Sequence, residues 1–410
     1  MTADAVVIGG GATGVATARD LAMRGVDVHL VERDGLSAGT TGRSHGVLHS
    51  GARYAESDPA DARECIAENR RVRSIAGACV RETGGLFVSL DGDDPDYAER
   101  KLTACRNCGI DADPTPVAEA RERIPGLADD ARRAFRVPDA VVSPARLVAA
   151  TAADASDRGA TIHLDAPVSE VTTSGGAVTG VTVDGSLDAR ISAGTVVNAA
   201  GPWADRVAGL AGASVPLRPT RGAMVAVEYG GIGPVVNRCR PPADGDIVVP
   251  RGDGAILGTT SVAVDDPDDF RTADWEVERT VAECAAMVPA LADAPVERTY
   301  WGVRPLYEPG TAADERDVSR GFAVLDHADE GAEGLLSVVG GKLTTHRLMA
   351  EAAADRVCAR LAVDAPCRTA DEPLARADDP AHLDRLVTAF DARAPADGTA
   401  GRSDSSGRSV

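Results

Sequence analysis

The chain has 410 residues and almost no lysine: Lys101 and Lys342 are the only two, and the other 41 basic side chains are arginines. Acidic residues outnumber basic ones by 63 to 43, so the formal net charge is −20. This balance argues against a nucleic-acid partner, because binding phosphate backbones requires clustered Lys and Arg. An acidic, lysine-poor surface suits a solvent of high salt, in which self-repulsion is screened. We therefore predict a halophilic source.

Long apolar runs are also absent. The sequence has no stretch of about 18 apolar residues, so we expect no segment that spans a bilayer. The N-terminus enters a strand pattern within a few residues, without the basic and apolar regions of a signal peptide, so we expect a cytoplasmic location. Hydrophobic residues make up 44% of the chain, which is a globular composition with room for two structural units.

The eight cysteines are scattered, and Cys105-Arg-Asn-Cys108 is the only close pair. A zinc or iron–sulfur site would need a second pair or a histidine pair nearby, and none is present. We therefore predict reduced thiols and no metal site.

The first 33 residues have the pattern of a βαβ unit. Residues 5–8 are a short apolar strand, residues 13–24 are compatible with a helix that ends at Gly25, and residues 27–33 form a second strand pattern. A unit of about 30 residues with this order is the minimal dinucleotide-binding module.

Glycines with the spacing G-x-G-x-x-G lie between the first strand and the helix. Gly9 permits the tight turn, Gly11 lets the backbone approach a pyrophosphate, and Gly14 lets helix and sheet pack closely. Glu32 lies 18 residues after Gly14 and ends the second strand, where a carboxylate accepts hydrogen bonds from an adenosine ribose. Its charge also disfavours the 2′-phosphate of NADP. The remaining predicted contacts in this unit are Ala12, Thr13 and Arg33.

Two further segments favour FAD over NAD. The small, polar run 39–46 follows the second strand and can wrap the phosphates and ribityl chain of a dinucleotide. The run 340–345 joins a strand to a helix, whose N-terminus can stabilise the negative charge of a reduced flavin. The predicted FAD contacts in and around these segments are Thr40, Thr41, Ser44, Gly46, Leu48, Val168, Gly201, Gly341, Lys342, Leu343 and Thr344.

Residues 42–55, Gly-Arg-Ser-His-Gly-Val-Leu-His-Ser-Gly-Ala-Arg-Tyr-Ala, resemble the flavin-proximal segment of FAD-dependent glycerol-3-phosphate dehydrogenases. The catalytic A subunit of the anaerobic three-subunit enzymes is more similar than the single-chain aerobic type. The resemblance covers about residues 3–368, and its other matching segments are 62–66, 197–203, 237–240, 258–261, 302–306 and 340–345.

The resemblance implies an α/β fold: a discontinuous Rossmann-like FAD-binding domain of the glutathione-reductase/amino-acid-oxidase type, with a β-rich substrate-capping domain. We expect the FAD-binding domain to comprise residues 1–75, 141–214 and 306–368, and the cap to comprise 76–140 and 215–305. Residues 369–410 are expected to form a partly disordered tail with one helix at 383–390 and disorder from about Ala394.

The resemblance also implies the reaction. FAD is held non-covalently, and sn-glycerol 3-phosphate is oxidised to dihydroxyacetone phosphate by hydride transfer from C2 to flavin N5. Electrons then pass to a quinone through partner subunits. Those subunits would place the chain at the inner face of the cytoplasmic membrane.

By motif position, Arg53 and Arg304 are expected to face the substrate, where two guanidinium groups suit a phosphate dianion. Lys342 is a compact ammonium retained in an arginine-rich chain, and we expect it near the flavin and the reacting hydroxyl. Tyr54 is expected to line the substrate pocket.

The sequence does not identify the residue that removes the hydroxyl proton. Aerobic relatives have a histidine at the position of Met224, and methionine cannot accept a proton. His49 is the nearest candidate by motif, and His45 is another.

Two alternatives remain at this stage. An amine or 2-hydroxy-acid oxidase of the same design would use the arginines for a carboxylate, and a non-catalytic FAD-binding subunit would use the fold alone. The A subunits that the chain resembles continue into a Cys-rich segment, and this sequence stops before it. The sequence is then either a natural short form or a truncated product.

Overall fold

Residues 1–310 and 321–398 are described by a computed structural model of the chain. The helices are α1 (Ala12–Met23), α2 (Pro59–Ile75), α3 (Tyr97–Asn107), α4 (Val117–Arg123), α5 (Pro144–Asp157), α6 (Ala204–Gly209), α7 (Asp274–Met287), α8 (His346–Leu361) and α9 (Pro380–Ala389). The strands are β1 (Ala5–Ile8), β2 (Val28–Val31), β3 (Val47–Leu48), β4 (Val80–Arg81), β5 (Gly85–Leu90), β6 (Asp113–Thr115), β7 (Ala131–Val137), β8 (Ala140–Val142), β9 (Thr161–His163), β10 (Val168–Ser174), β11 (Ala177–Val183), β12 (Ala189–Ser192), β13 (Val196–Asn198), β14 (Leu217–Val227), β15 (Val235–Arg238), β16 (Ile247–Arg251), β17 (Gly254–Gly258), β18 (Val262–Ala263), β19 (Val296–Tyr307), β20 (Phe322–Asp326) and β21 (Leu335–Gly340).

The first large sheet has the strand order β20-β21-β13-β1-β2-β9. Its strands are parallel except β20, which pairs antiparallel with β21. β1, β2 and β13 are buried along their whole length, because α1, α5 and α8 cover one face and β10–β12 with α6 cover the other. This sheet places the carboxyl ends of β1 and β2 beside the N-terminus of α1.

The second large sheet is mostly antiparallel and has the order β18-β14-β17-β16-β15-β5-β7-β6, with β19 also paired to β14. Helices α4 and α7 pack on one face through apolar side chains such as Ala120 and Met287. The alternate side chains of the central strands, including Met224 and Tyr300, point to the other face and contact Val47 of β3. The second sheet therefore packs against the loop that follows β2.

The predicted fold class is confirmed: a Rossmann-like sheet covered on both faces adjoins a β-rich second sheet. The pattern of residues 56–82 predicts a helix, and the helix in the structure is shorter, Pro59–Ile75. The domain boundaries stay a prediction.

The expected disorder from about Ala394 is wrong for residues 394–398. Ala394 and Ala396 are buried, and the Ser143 hydroxyl donates to an Asp397 carboxylate oxygen at 2.7 Å. Small apolar residues bury even in a polar segment when neighbouring elements leave a space for them, and composition does not reveal that space. The rest of the expected disorder, residues 399–410, lies outside the described residues.

Among the described residues, no helix is both long and apolar enough to cross a membrane. All eight cysteines are free thiols, and seven of them are buried. In the same part of the chain, no group of three or more His, Cys, Asp or Glu side chains is arranged to hold a metal ion.

Candidate functional site

The turn between β1 and α1 brings three backbone segments together. Gly9 has φ +113°, and a Cβ there would lie 2.6 Å from the carbonyl oxygen of Ala199 at the end of β13. A Cβ on Gly14 would lie only 1.9 Å from the Gly9 oxygen. Glycine is therefore required at both positions. The first turn of α1 is held by a hydrogen bond from the Ala12 N–H to the Thr41 hydroxyl at 3.1 Å, and the helix N-terminus supplies partial positive charge.

Glu32 is at the end of β2 and borders the same cleft. Its two carboxylate oxygens accept hydrogen bonds from the backbone N–H groups of Gly10 and Asp34, the latter at 2.9 Å. Burial raises the pKa of Glu32, and these hydrogen bonds oppose that shift. Beside it, the Arg33 guanidinium lies 4.1 Å from the centre of the Trp203 ring. This end of the cleft offers a carboxylate and a flat aromatic surface, which suit an adenosine.

The cleft runs between the two large sheets and has a volume of about 960 Å³. That volume is at the upper end of the range for ligand pockets and suits a ligand as large as a dinucleotide. The predicted residues that line it are Gly9, Gly11, Ala12, Thr13, Glu32, Arg33, Thr40, Thr41, Ser44, His49, Tyr54, Val168, Gly201, Arg304, Gly341, Lys342 and Leu343.

Five other predicted residues do not line the cleft, and their roles stay predictions. Gly14 packs on Gly9, Gly46 packs on the Val142 carbonyl, and Leu48 is a core residue of β3. Arg53 is turned toward Asp246, and the Thr344 hydroxyl accepts a hydrogen bond from the His49 N–H at 3.0 Å. None of these five residues borders the cleft. They support the residues that line it.

Lys342 lines the cleft between β21 and α8. Its ammonium pairs with Asp61, from the first turn of α2, and lies 4.6 Å from the centre of the Tyr54 ring. The side chains of Lys342 and Asp61 are 7% and 5% exposed. An ammonium this buried needs a carboxylate partner, and Asp61 provides it.

Arg304 extends from β19 into the cleft. One of its terminal nitrogens donates to the Thr259 hydroxyl at 3.1 Å and to the Thr260 carbonyl at 3.2 Å. The Thr260 hydroxyl in turn donates at 2.9 Å to Glu276, which is fully buried and paired with Arg221. This chain of contacts fixes the direction of the Arg304 side chain.

Two histidines and Tyr54 form an aromatic group near Arg304 and Lys342. The His45 and His49 rings meet edge to face with centres 5.5 Å apart, and the His49 and Tyr54 rings are 6.0 Å apart. Enclosure in the cleft lowers the pKa of His45 to about 3, and the positive charges of Arg304 and Arg53 act in the same direction.

Sequence reasoning missed Asp61 and Asp246. Each is an aspartate in a chain rich in aspartate, so composition gives no signal. Asp61 lies next to the matching segment 62–66, which is the one feature that could have drawn attention to it.

The comparisons with known proteins agree with this geometry. The profile of the FAD dependent oxidoreductase family (DAO) matches residues 4–356. The chain belongs to this family. The A1 subunit of the anaerobic glycerol-3-phosphate dehydrogenase of Haloferax volcanii is 49% identical over 406 residues, which cover 95% of this chain and 69% of the relative. The A subunit of the Escherichia coli K12 enzyme is 41% identical over 388 residues, which cover 93% and 72%.

Solved structures place this FAD-dependent oxidoreductase in the same fold. A glycerol-3-phosphate dehydrogenase from Bacillus halodurans, complexed with FAD, has a TM-score of 0.70 and 25% identity, covering 94% of this chain and 70% of that one. A glycine oxidase from Geobacillus kaustophilus has a TM-score of 0.71 and 22% identity, with 92% and 99% covered. The second likeness concerns the fold alone.

The residues of the cleft fit FAD. The glycine turn and the N-terminus of α1 suit its pyrophosphate, and Glu32 suits its ribose. Gly340 and Gly341, with φ of +80° and +68°, turn the backbone that leads from β21 to α8. The predicted cofactor is confirmed, and the predicted halophilic source agrees with the relative from Haloferax volcanii.

Proposed function

We propose that this FAD-dependent oxidoreductase oxidises sn-glycerol 3-phosphate to dihydroxyacetone phosphate. The observation that carries the proposal is that Arg304 and Lys342 line the cleft, in a chain 49% identical to an anaerobic glycerol-3-phosphate dehydrogenase subunit. FAD, when bound, supplies the acceptor for the two electrons that leave the substrate.

The arginines and Lys342 have different roles in this proposal. Arg304 binds the phosphate, because a guanidinium group binds phosphate oxygens bidentately, and Arg53, which does not line the cleft, adds positive charge behind it. Lys342 donates to the oxygen on the carbon that is oxidised and stabilises the negative charge that develops there. Asp61 holds the ammonium in place, and Tyr54 limits its movement from the other side.

His49 is the candidate acceptor for the hydroxyl proton. Its ring borders the cleft between His45 and Tyr54, and its backbone is fixed by Thr344. A histidine held next to an ammonium that polarises the hydroxyl is a suitable arrangement for general base catalysis.

The direct test is anaerobic reduction of the bound flavin by a panel of small substrates. Glycerol 3-phosphate should bleach the flavin absorbance, whereas glycine, sarcosine and 2-hydroxyglutarate should not. Bleaching by one of those three alone would indicate an amine or 2-hydroxy-acid oxidase. A flavin that no substrate in the panel reduces would indicate a non-catalytic FAD-binding subunit.

We further propose that electrons leave through partner subunits to a membrane quinone, and that these partners hold the chain at the inner face of the cytoplasmic membrane. The support is that its relatives are named as subunits of a larger enzyme. Affinity purification from the source organism should recover stoichiometric partners in the membrane fraction. Recovery of the chain alone, from the supernatant, would contradict this part of the proposal.

A further inference from the structure

His45 lies in the loop between β2 and β3, close to the second large sheet. Its ring approaches Gly258, at the end of β17: a Cβ on Gly258 would lie 3.9 Å from the His45 Cδ2 atom and 3.8 Å from the Met224 Cγ atom. The next residue in the chain, Thr259, accepts the hydrogen bond from Arg304. The imidazole is therefore beside the segment that holds Arg304.

The hydrogen bonding of His45 determines which ring nitrogen carries the proton. The backbone N–H of Val47 donates to the His45 Nδ1 atom at 3.2 Å, so the lone pair of Nδ1 is occupied. A neutral imidazole with an accepting Nδ1 carries its hydrogen on Nε2. Because enclosure and the two nearby arginines lower the pKa of His45 to about 3, the ring is neutral at ordinary pH and Nε2 is a hydrogen-bond donor.

The proposed phosphate site around Arg304 and Arg53 has less positive charge than two arginines would supply. Asp246, which is 1% exposed, pairs with the guanidinium of Arg53 and largely compensates its charge. A phosphate has three terminal oxygens, whereas a carboxylate has two and can be satisfied by one bidentate guanidinium. A site selective for phosphate thus benefits from one more donor close to Arg304.

We propose that His45 is that donor: its Nε2–H binds a terminal oxygen of the substrate phosphate beside Arg304, and it selects phosphorylated substrates over carboxylates. The inference rests on the proposed function and assigns the specificity of the same site. His45 then binds the substrate and does not accept the hydroxyl proton, because its Nδ1 atom already accepts from the Val47 N–H and its Nε2 atom already carries hydrogen.

Two polar substitutions of similar size separate these roles. His45→Gln keeps an N–H donor near the position of Nε2, whereas His45→Asn has its amide near the position of Nδ1 and cannot reach the same oxygen. His163→Gln is the matched control, because His163 contacts His29 at the edge of the first sheet, and neither histidine lines the cleft.

The experiment measures two quantities on each FAD-loaded variant. The first is the dissociation constant of inorganic phosphate, from its perturbation of the oxidised flavin spectrum, which does not depend on turnover. The second is the rate of anaerobic flavin reduction as a function of glycerol 3-phosphate concentration, which separates the apparent dissociation constant from the limiting rate.

The loss of one hydrogen bond to a charged ligand should raise both dissociation constants about 10- to 100-fold in His45→Asn, with the limiting rate within about threefold of wild type. His45→Gln should restore most of the affinity, and His163→Gln should match wild type. Unchanged affinities in His45→Asn would overturn the inference, and so would a fall in the limiting rate alone, which would indicate a proton acceptor. If wild type binds phosphate in a His45-dependent way but is not reduced by glycerol 3-phosphate, the proposed function fails and the anion site stands.

Discussion

Both lysines of this arginine-rich chain are buried and paired with specific oxygens. Lys342 pairs with the Asp61 carboxylate, and Lys101 donates to the Arg53 carbonyl at 3.0 Å. A guanidinium is longer and planar, so at either position it would place its donors differently from a compact ammonium. The two positions at which the chain keeps lysine are therefore positions at which side-chain geometry matters as well as charge.

Lys342→Arg should leave the protein folded and flavin-loaded but lower its turnover. The charge is retained, so any loss reports the position of the donor relative to the reacting oxygen. Loss of a transition-state hydrogen bond to a charged group corresponds to about 2–4 kcal/mol, a factor of roughly 30 to 1,000 in rate. The measurement is stopped-flow flavin reduction by glycerol 3-phosphate under anaerobic conditions. A mutant within threefold of wild type would remove Lys342 from the mechanism.

Gly14→Ala should prevent FAD binding. The added Cβ would lie 1.9 Å from the Gly9 oxygen, so the turn that approaches the pyrophosphate must move. The control is Gly194→Ala, since a Cβ at Gly194 has no neighbour within 4 Å. The ratio of flavin to protein absorbance after purification tests the prediction. A yellow Gly14→Ala protein with wild-type flavin content would show that the turn tolerates the shift.

At the scale of elements, α3 supports the loop that carries Arg53 and Tyr54. Lys101 of α3 donates to the Arg53 carbonyl, and the thiols of Cys105 and Cys108 contact the carbonyl oxygens of Ala52 and Ala55 at 3.9 and 3.8 Å. The predicted reduced thiols thus contact the backbone of this loop. Helix α3 in this way positions residues of the loop between β3 and α2.

Lys101→Met should destabilise the fold, because Met fills the space but leaves the Arg53 carbonyl without its donor. An unsatisfied buried group costs about 1–3 kcal/mol. Relief of the buried ammonium, whose pKa is lowered by burial, offsets part of that cost. Urea unfolding followed by flavin fluorescence measures the change.

The control for this helix is Arg100→Met, the adjacent residue, which is exposed and should change stability by about 0–1 kcal/mol. Equal unfolding midpoints for the Lys101 and Arg100 variants would show that α3 does not support the loop through Lys101.

For the whole molecule, salt should raise stability. The 63 acidic and 43 basic side chains leave an excess of 20 negative charges, whose mutual repulsion favours the unfolded chain when it is not screened. Exposed ion pairs such as Arg70 with Asp111 weaken in salt, but isolated exposed pairs contribute little. The melting temperature should therefore be higher in molar KCl than in dilute buffer. An equal or lower value in molar KCl would contradict the halophilic interpretation.

Local sequence determined the parts of the site that are built by neighbours in the chain. The strand, turn and helix around Gly9 and Gly14, and the position of Glu32 at the end of the next strand, follow from apolar periodicity and from the need for glycine where backbones meet. The same reasoning identified a dinucleotide-binding unit, whereas the FAD-binding fold was implied by the resemblance of residues 42–55 to FAD-dependent glycerol-3-phosphate dehydrogenases.

Only the tertiary structure decided which groups meet across the chain. Lys342 pairs with Asp61, which is 281 residues away in the chain, and Arg53 pairs with Asp246, which is 193 residues away. Nothing in the local sequence distinguishes either aspartate from the many other aspartates of the chain. The tautomer of His45 likewise depends on how one loop folds back on its own backbone. Such pairings depend on the packing of two sheets against each other, because that packing alone brings distant side chains within hydrogen-bond distance and removes the water that would otherwise solvate them.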